Sequence, residues 1–123
     1  MALTACRKDE TLSAYGASGE IWVLAELNGN AFTSKATVEF PEPGKIRGQA
    51  PCNSFAGIQT APYPWFSAKD VLATRMACSD LTAEQAFLDA LSAMSLSEVS
   101  GGTLILSNES GGEMLFRAAD NDG

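Results

Sequence analysis

The chain predicts an α+β domain dominated by antiparallel sheet, and three observations carry that prediction. Short apolar stretches with period-two alternation recur between turn residues, as half-buried strands do. One stretch, residues 82–94, carries its apolar residues at helical spacing instead. The strands fall before and after that stretch rather than alternating with helices, which separates α+β from parallel βαβ architecture.

The first strand is predicted over residues 20–27. Its apolar residues fall on both parities, with Ile21, Val23 and Leu27 on one face and Trp22 and Leu24 on the other. That pattern predicts a central strand covered on both sides. Asn28-Gly29 follows as a hairpin turn, since both residues tolerate positive φ. Ala36, Val38 and Phe40 then alternate inward until Pro41-Glu-Pro-Gly44 breaks the strand. Beyond it Ile46, Gly48 and Ala50 share one face and Lys45, Arg47 and Gln49 the other. Both inward sets are even-numbered, so the pairing must join even to even, Phe40 with Ile46 and Glu39 with Arg47. Such a register needs an odd-length loop or a bulge, because a one-residue slip turns an apolar face to water.

Residues 55–59, 65–67 and 71–76 are further strand candidates, with Pro62 and Pro64 confining their surroundings to a loop or a sheet edge. The helix opens on Thr82-Ala-Glu-Gln85, which matches a capping box in which Thr82 and Gln85 satisfy each other's backbone N–H groups. Leu81 and Ala86 are placed to staple it, and Phe87, Leu88, Leu91 and Met94 form the face that packs on the sheet. Two turns, Ser100-Gly-Gly102 and Ser110-Gly-Gly112, introduce the closing strands at Thr103–Leu106 and Glu113–Phe116.

At 123 residues the chain is of single-domain length. Fifteen acids against eight bases give a net charge of −7. That balance argues against a nucleic-acid partner, which needs clustered Lys and Arg, and against broad contact with anionic lipid. The sequence has no histidine, so no Ser-His or Cys-His pair and no imidazole base exists. No phosphate-binding G-x-x-x-x-G-K-[ST] loop is present either. The expectation is a protein that is not an enzyme and takes no cofactor, with a carboxylate-only hydrolase as the weakest alternative.

Leu3-Thr4-Ala5-Cys6 resembles the lipobox of bacterial lipoproteins, in which cleavage before the cysteine leaves its thiol and new amine to carry lipid. On that resemblance Met1–Ala5 is the end of a truncated signal and Cys6 is lipidated. Residues 7–19, RKDETLSAYGASG, are polar and small, a linker composition. Arg7 after the cysteine, by the same analogy, favours the outer membrane. The organisation expected is a signal remnant and linker over 1–18, a folded domain over 19–118 and a polar tail over 119–123.

Three cysteines are an odd number, which in an exported protein asks for a reason. With Cys6 lipidated, Cys52 and Cys78 remain as a pair in an oxidising compartment. Their 26-residue separation makes a bridge worth about 3.5 kcal/mol in the chain-entropy model. Buried free thiols come second and a catalytic thiol last. Zinc fails on ligand number, with two cysteines, no histidine and no C-x-x-C.

Pro51-Cys-Asn-Ser-Phe-Ala-Gly57 and Ala73-Thr-Arg-Met-Ala-Cys78 resemble the two signature segments of the META domain family, the HslJ-like proteins. The order of the Trp22-x-Leu24 strand, the Asn-Gly turn, the two segments, the helix and the closing strands is similar across about residues 20–117. Pro51 departs from the family's usual glycine. The resemblance implies a barrel-like antiparallel sheet with one packed helix, and bacterial envelope proteins, often lipoproteins, linked to heat stress and antibiotic tolerance. It implies no established reaction. Asn53, Phe55, Gly57, Thr74, Arg75 and Met76 are its motif residues. They read from chemistry as a turn-holding amide (Asn53), core side chains (Phe55, Met76), a bulge or close approach (Gly57), and either strand surface or site lining (Thr74, Arg75).

The function expected is thus a monomeric, non-catalytic envelope module facing the periplasm and reaching the membrane only through its lipid. It would bind a protein partner or support the envelope under stress. The alternative is a carrier of a small apolar or lipid ligand, with Trp22 and Trp65 as walls beside Phe55 and the helix stripe.

Overall fold

The computed structural model describes residues 10–119. Cys6 and the polar tail beyond 119 lie outside them. Among the described residues nine strands form a single curled sheet, a half-barrel of the α+β class with one α-helix packed on it. The strands are β1 (Trp22–Leu27), β2 (Asn30–Ala31), β3 (Thr37–Glu39), β4 (Gly44–Gln49), β5 (Ser54–Gln59), β6 (Lys69–Ala73), β7 (Leu96–Ser100), β8 (Thr103–Ser107) and β9 (Glu113–Ala118). Helix α1 spans Leu81–Ala93 between β6 and β7. The sheet order is β6-β5-β4-β3-β1-β9-β8-β7, antiparallel throughout, with β2 hairpinned onto β1.

The predicted register is the one formed. Glu39 lies opposite Arg47 and Val38 opposite Gly48, across the loop that Gly44 helps to turn at φ 88°. The Arg47 guanidinium reaches the Glu39 carboxylate at 3.3 Å on the solvent side. The pairings carry one inward row across six strands, even-numbered through Ala118, Trp22, Val38 and Gly48 and odd-numbered at Phe55 and Ala73. Gly48 is required in that row, because a Cβ there would overlap the Thr37 carbonyl oxygen and press on the Phe55 ring. Asn28 and Gly29 turn β1 into β2 at φ 53° and 84°.

Four expectations about local structure change. β1 is central but covered on one face: Trp22 and Leu24 are buried, whereas Ile21 is 46% exposed. A register shift between Leu24 and Glu26 against β9 brings Leu27 to the Trp22 side, opposite the buried Met114. A bulge resets alternation in this way, so Leu27 leaves the parity of Ile21 and Val23. Residues 65–67 form an isolated bridge, Trp65 with Leu96, rather than a strand. β6 starts earlier than the apolar run suggests and ends at Ala73, leaving Met76 62% exposed and out of the core. β7 is the strand that alternation does not announce, since its buried residue is Ser97.

Residues 10–18 do not run as a free linker. Leu12 and Ala17 are fully buried, and a short 3-10 turn spans Leu12–Tyr15. The Trp22 indole N–H donates to the Ala17 carbonyl at 3.0 Å, and the Tyr63 N–H donates to Glu10 at 2.7 Å. Tyr15 stacks on Tyr63 with centroids 4.5 Å apart. Leu12 and Ala17 are too few to set a period, yet they suffice to dock the segment.

Helix α1 packs Phe87, Leu91 and Met94 into the core, with Phe87 edge-on to Phe55 at 5.7 Å. The capping box does not form. The helix begins at Leu81, and the Gln85 amide donates to Asp89 rather than back to Thr82. Leu81 and Ala86 are exposed, so no staple closes over the start.

Candidate functional site

The two signature segments meet at one end of the half-barrel and are tied together there. Cys52 and Cys78 form a disulfide with Cα atoms 6.0 Å apart. Beside it Asn53, 3% exposed, spans the gap between the segments. Its Oδ1 accepts the Met76 N–H at 2.6 Å and the Thr74 hydroxyl at 2.8 Å. Its Nδ2 donates to the Met76 carbonyl at 3.1 Å and to Glu84 Oε2 at 2.7 Å. Thr74 continues the tie by accepting the Ser54 N–H at 3.2 Å.

Glu84, from the first turns of α1, completes this knot. Its Oε1 accepts the backbone N–H groups of Cys52 and Asn53, each at 2.8 Å. The carboxylate is 7% exposed. Burial alone would push its carboxyl up. The donors outweigh that effect, first the Asn53 side chain and then the backbone of Cys52 and Asn53, and hold the group below its ordinary value. A buried carboxylate satisfied by three N–H donors is stable as an anion. The sequence reading missed Glu84, and the signal for it is that Glu84, Phe87, Leu88 and Leu91 share one helical face, where an acid demands partners.

The motif residues separate by role. Asn53 and Phe55 are buried, the latter at 4% exposure. Gly57 sits at the register shift between β5 and β6, where a Cβ would come within 2.8 Å of the Lys69 carbonyl oxygen. Met76 contributes its backbone to the knot while its side chain faces out. Arg75 is exposed. The two tryptophans are not brought together: Trp22 is fully buried and Trp65 is 55% exposed.

Next to the knot lies a cleft of about 730 Å³ between β6 and α1. Val71 and Ala73 form one wall, Leu81, Gln85 and Leu88 the other, and Asn53 and Glu84 reach its lining. β6 is the terminal strand of the sheet. The Thr74 N–H donates to Ser54, and Leu72 lies opposite Ala56, so positions 72 and 74 turn their backbone groups toward β5. Antiparallel alternation then turns the N–H and C=O groups of Ala73, and the C=O of Val71, to the open side beside the cleft, up to the register shift at which Asp70 and Val71 together oppose Gly57. The opposite edge is not open in this way. There the Ser97 N–H donates to Pro64 at 2.7 Å and the Phe66 N–H to Ser95 at 2.9 Å, joining β7 to the segment before β6.

A family model described as META domain matches residues 16–121. The fold is similar to that of a protein from Burkholderia xenovorans solved by NMR, with a TM-score of 0.71 at 20% identity, covering 89% of this chain and 88% of that one. It is also similar to a DUF4847 family protein from Bacteroides vulgatus, with a TM-score of 0.66 at 14% identity, covering 86% and 96%. No curated protein matches the chain.

Proposed function

The chain belongs to the META domain family, and on that footing we propose that it is a non-catalytic module of the bacterial cell envelope that holds a protein partner. The observation that carries this reading is how the signature segments are used. Asn53 and Glu84 spend their polar atoms on the knot, so the motif shapes an end of the molecule and leaves beside it a cleft with both apolar and polar lining. Glu84 is also unsuited to proton transfer near neutral pH, because its donors hold it below the ordinary carboxylate value. Tethered by lipid at Cys6 to the outer membrane, the domain would face the periplasm and support the envelope under stress. The carrier reading has less support, since Trp22 is sealed in the packed interior and Trp65 points to solvent.

The test is a quantitative pull-down from crosslinked envelopes, comparing the full chain with an unrelated domain on the same tether. Enrichment of a defined protein over that control is the expected result, and its absence removes the partner reading. Metabolic labelling with a fatty-acid analogue, lost in Cys6→Ser, tests the anchor separately.

A further inference from the structure

We propose that the open edge of β6 accepts an extended segment of a partner protein as an added strand, with acidic residues opposite Lys69 and Arg75. This rests on the partner-binding reading and names what the partner presents.

The edge has the groups strand addition uses. Ala73 turns its backbone N–H and C=O, and Val71 its C=O, to the open side, and β-augmentation takes its affinity from such main-chain bonds. Opposite them Leu81 and Leu88 give the incoming strand an apolar wall. Leu72, on the edge strand itself, is 78% exposed. A long open edge is a hazard that proteins cover or blunt, and here the neighbouring helix leaves a cleft instead of closing over it.

Charge decides between occupants. Lys69 and Arg75 flank the edge, six positions apart and exposed. Among the described residues the ion pair formed is Arg47 with Glu39, so neither base is neutralised by a paired acid. A second copy of this chain, pairing antiparallel about Leu72, would gather Lys69 of each copy and Arg75 of the other along one seam. Like charges brought together along a paired edge repel. A strand with an acid at each end of an apolar, β-branched centre meets both bases instead.

The probe is the peptide acetyl-EVTVTVE-amide, titrated into the oxidised full chain and followed by amide NMR shifts and hydrogen exchange. Shifts should centre on Val71, Ala73 and the Leu81–Leu88 face, and exchange at the Ala73 amide should slow at least tenfold at saturation. At low salt acetyl-KVTVTVK-amide should bind about tenfold more weakly, and the double variant Lys69→Glu, Arg75→Glu should reverse that order, from two charge pairs turned from attraction to repulsion. N-methylating the acidic peptide at alternate residues should abolish docking in one phase and spare it in the other. Equal binding of both peptides, or no response of Val71 and Ala73 at millimolar peptide, overturns the proposal. Concentration-dependent shifts at those amides without peptide would assign the edge to a second copy and overturn it too. If envelopes yield a defined partner while the peptides leave the edge untouched, the partner reading stands and the edge proposal falls. If the acidic peptide docks as described while envelopes yield no partner, the edge is a strand-binding site, but the partner reading falls and the proposed occupant falls with it.

Discussion

Glu84 and Asn53 are joined twice, side chain to side chain at 2.7 Å and carboxylate to backbone N–H at 2.8 Å. The pair locks the start of α1 to the Cys52 turn, and through the other end of the Asn53 amide it locks both to Met76. Helix, β5 and the segment after β6 therefore hold position through one buried amide and one buried acid.

Glu84→Gln should cost about 3 kcal/mol, because the new amide nitrogen turns a donor toward donors that stay buried. Urea unfolding under oxidising conditions measures it, and a loss below about 0.5 kcal/mol would show that the N–H groups find other acceptors.

Stability should also depend on pH through this acid. Its folded value lies below its unfolded one, so between the two the unfolded chain binds more protons and stability rises with pH. The contribution is complete above the unfolded value near about pH 4.3 and fades as pH falls through the folded value. The gap between the wild type and Glu84→Gln should narrow across that window. A constant gap from pH 3 to 7 would mean that the charge of Glu84 does not carry the effect.

Asn53→Asp should invert the pattern. It sets a second carboxylate against Glu84 at hydrogen-bond distance, and two such groups share a proton, raising one value. The folded state then binds more protons than the unfolded, so this variant should lose stability as pH rises above about 4. Unfolding midpoints measured against pH should slope downward where the wild type slopes upward.

Leu12→Ala should destabilise by about 2–4 kcal/mol, as buried leucines do. A merely attached linker would leave stability unchanged. Thermal unfolding distinguishes the two, and loss of the Tyr15–Tyr63 stack should appear with it in the near-ultraviolet spectrum.

Much of the fold was legible because alternation is a strong signal where one face is buried. Ala36, Val38, Phe40 and Ile46 set the β3–β4 register, and Phe87, Leu91 and Met94 set the helix face. The misreadings have one physical source: local patterns that tertiary contacts override. Leu27 changed sides at a bulge, and Thr82-x-x-Gln85 looked like a cap while the residue between them that mattered, Glu84, bonded across the fold. Ser97 hid β7 because a buried serine with a backbone partner looks polar in sequence. The signature residues were visible as words, but not what they hold, since that lies some 30 positions away: Asn53 and Glu84 are separated by 31.

The disulfide has a topological consequence. The bridge between Cys52 and Cys78 closes a covalent ring that contains all of β5, the proline-rich crossing and β6. A protease that cuts the exposed backbone anywhere inside this ring produces two chains that travel as one molecule until a reductant parts them. The strand presented at the edge is thus carried on a closed loop that a single scission cannot release.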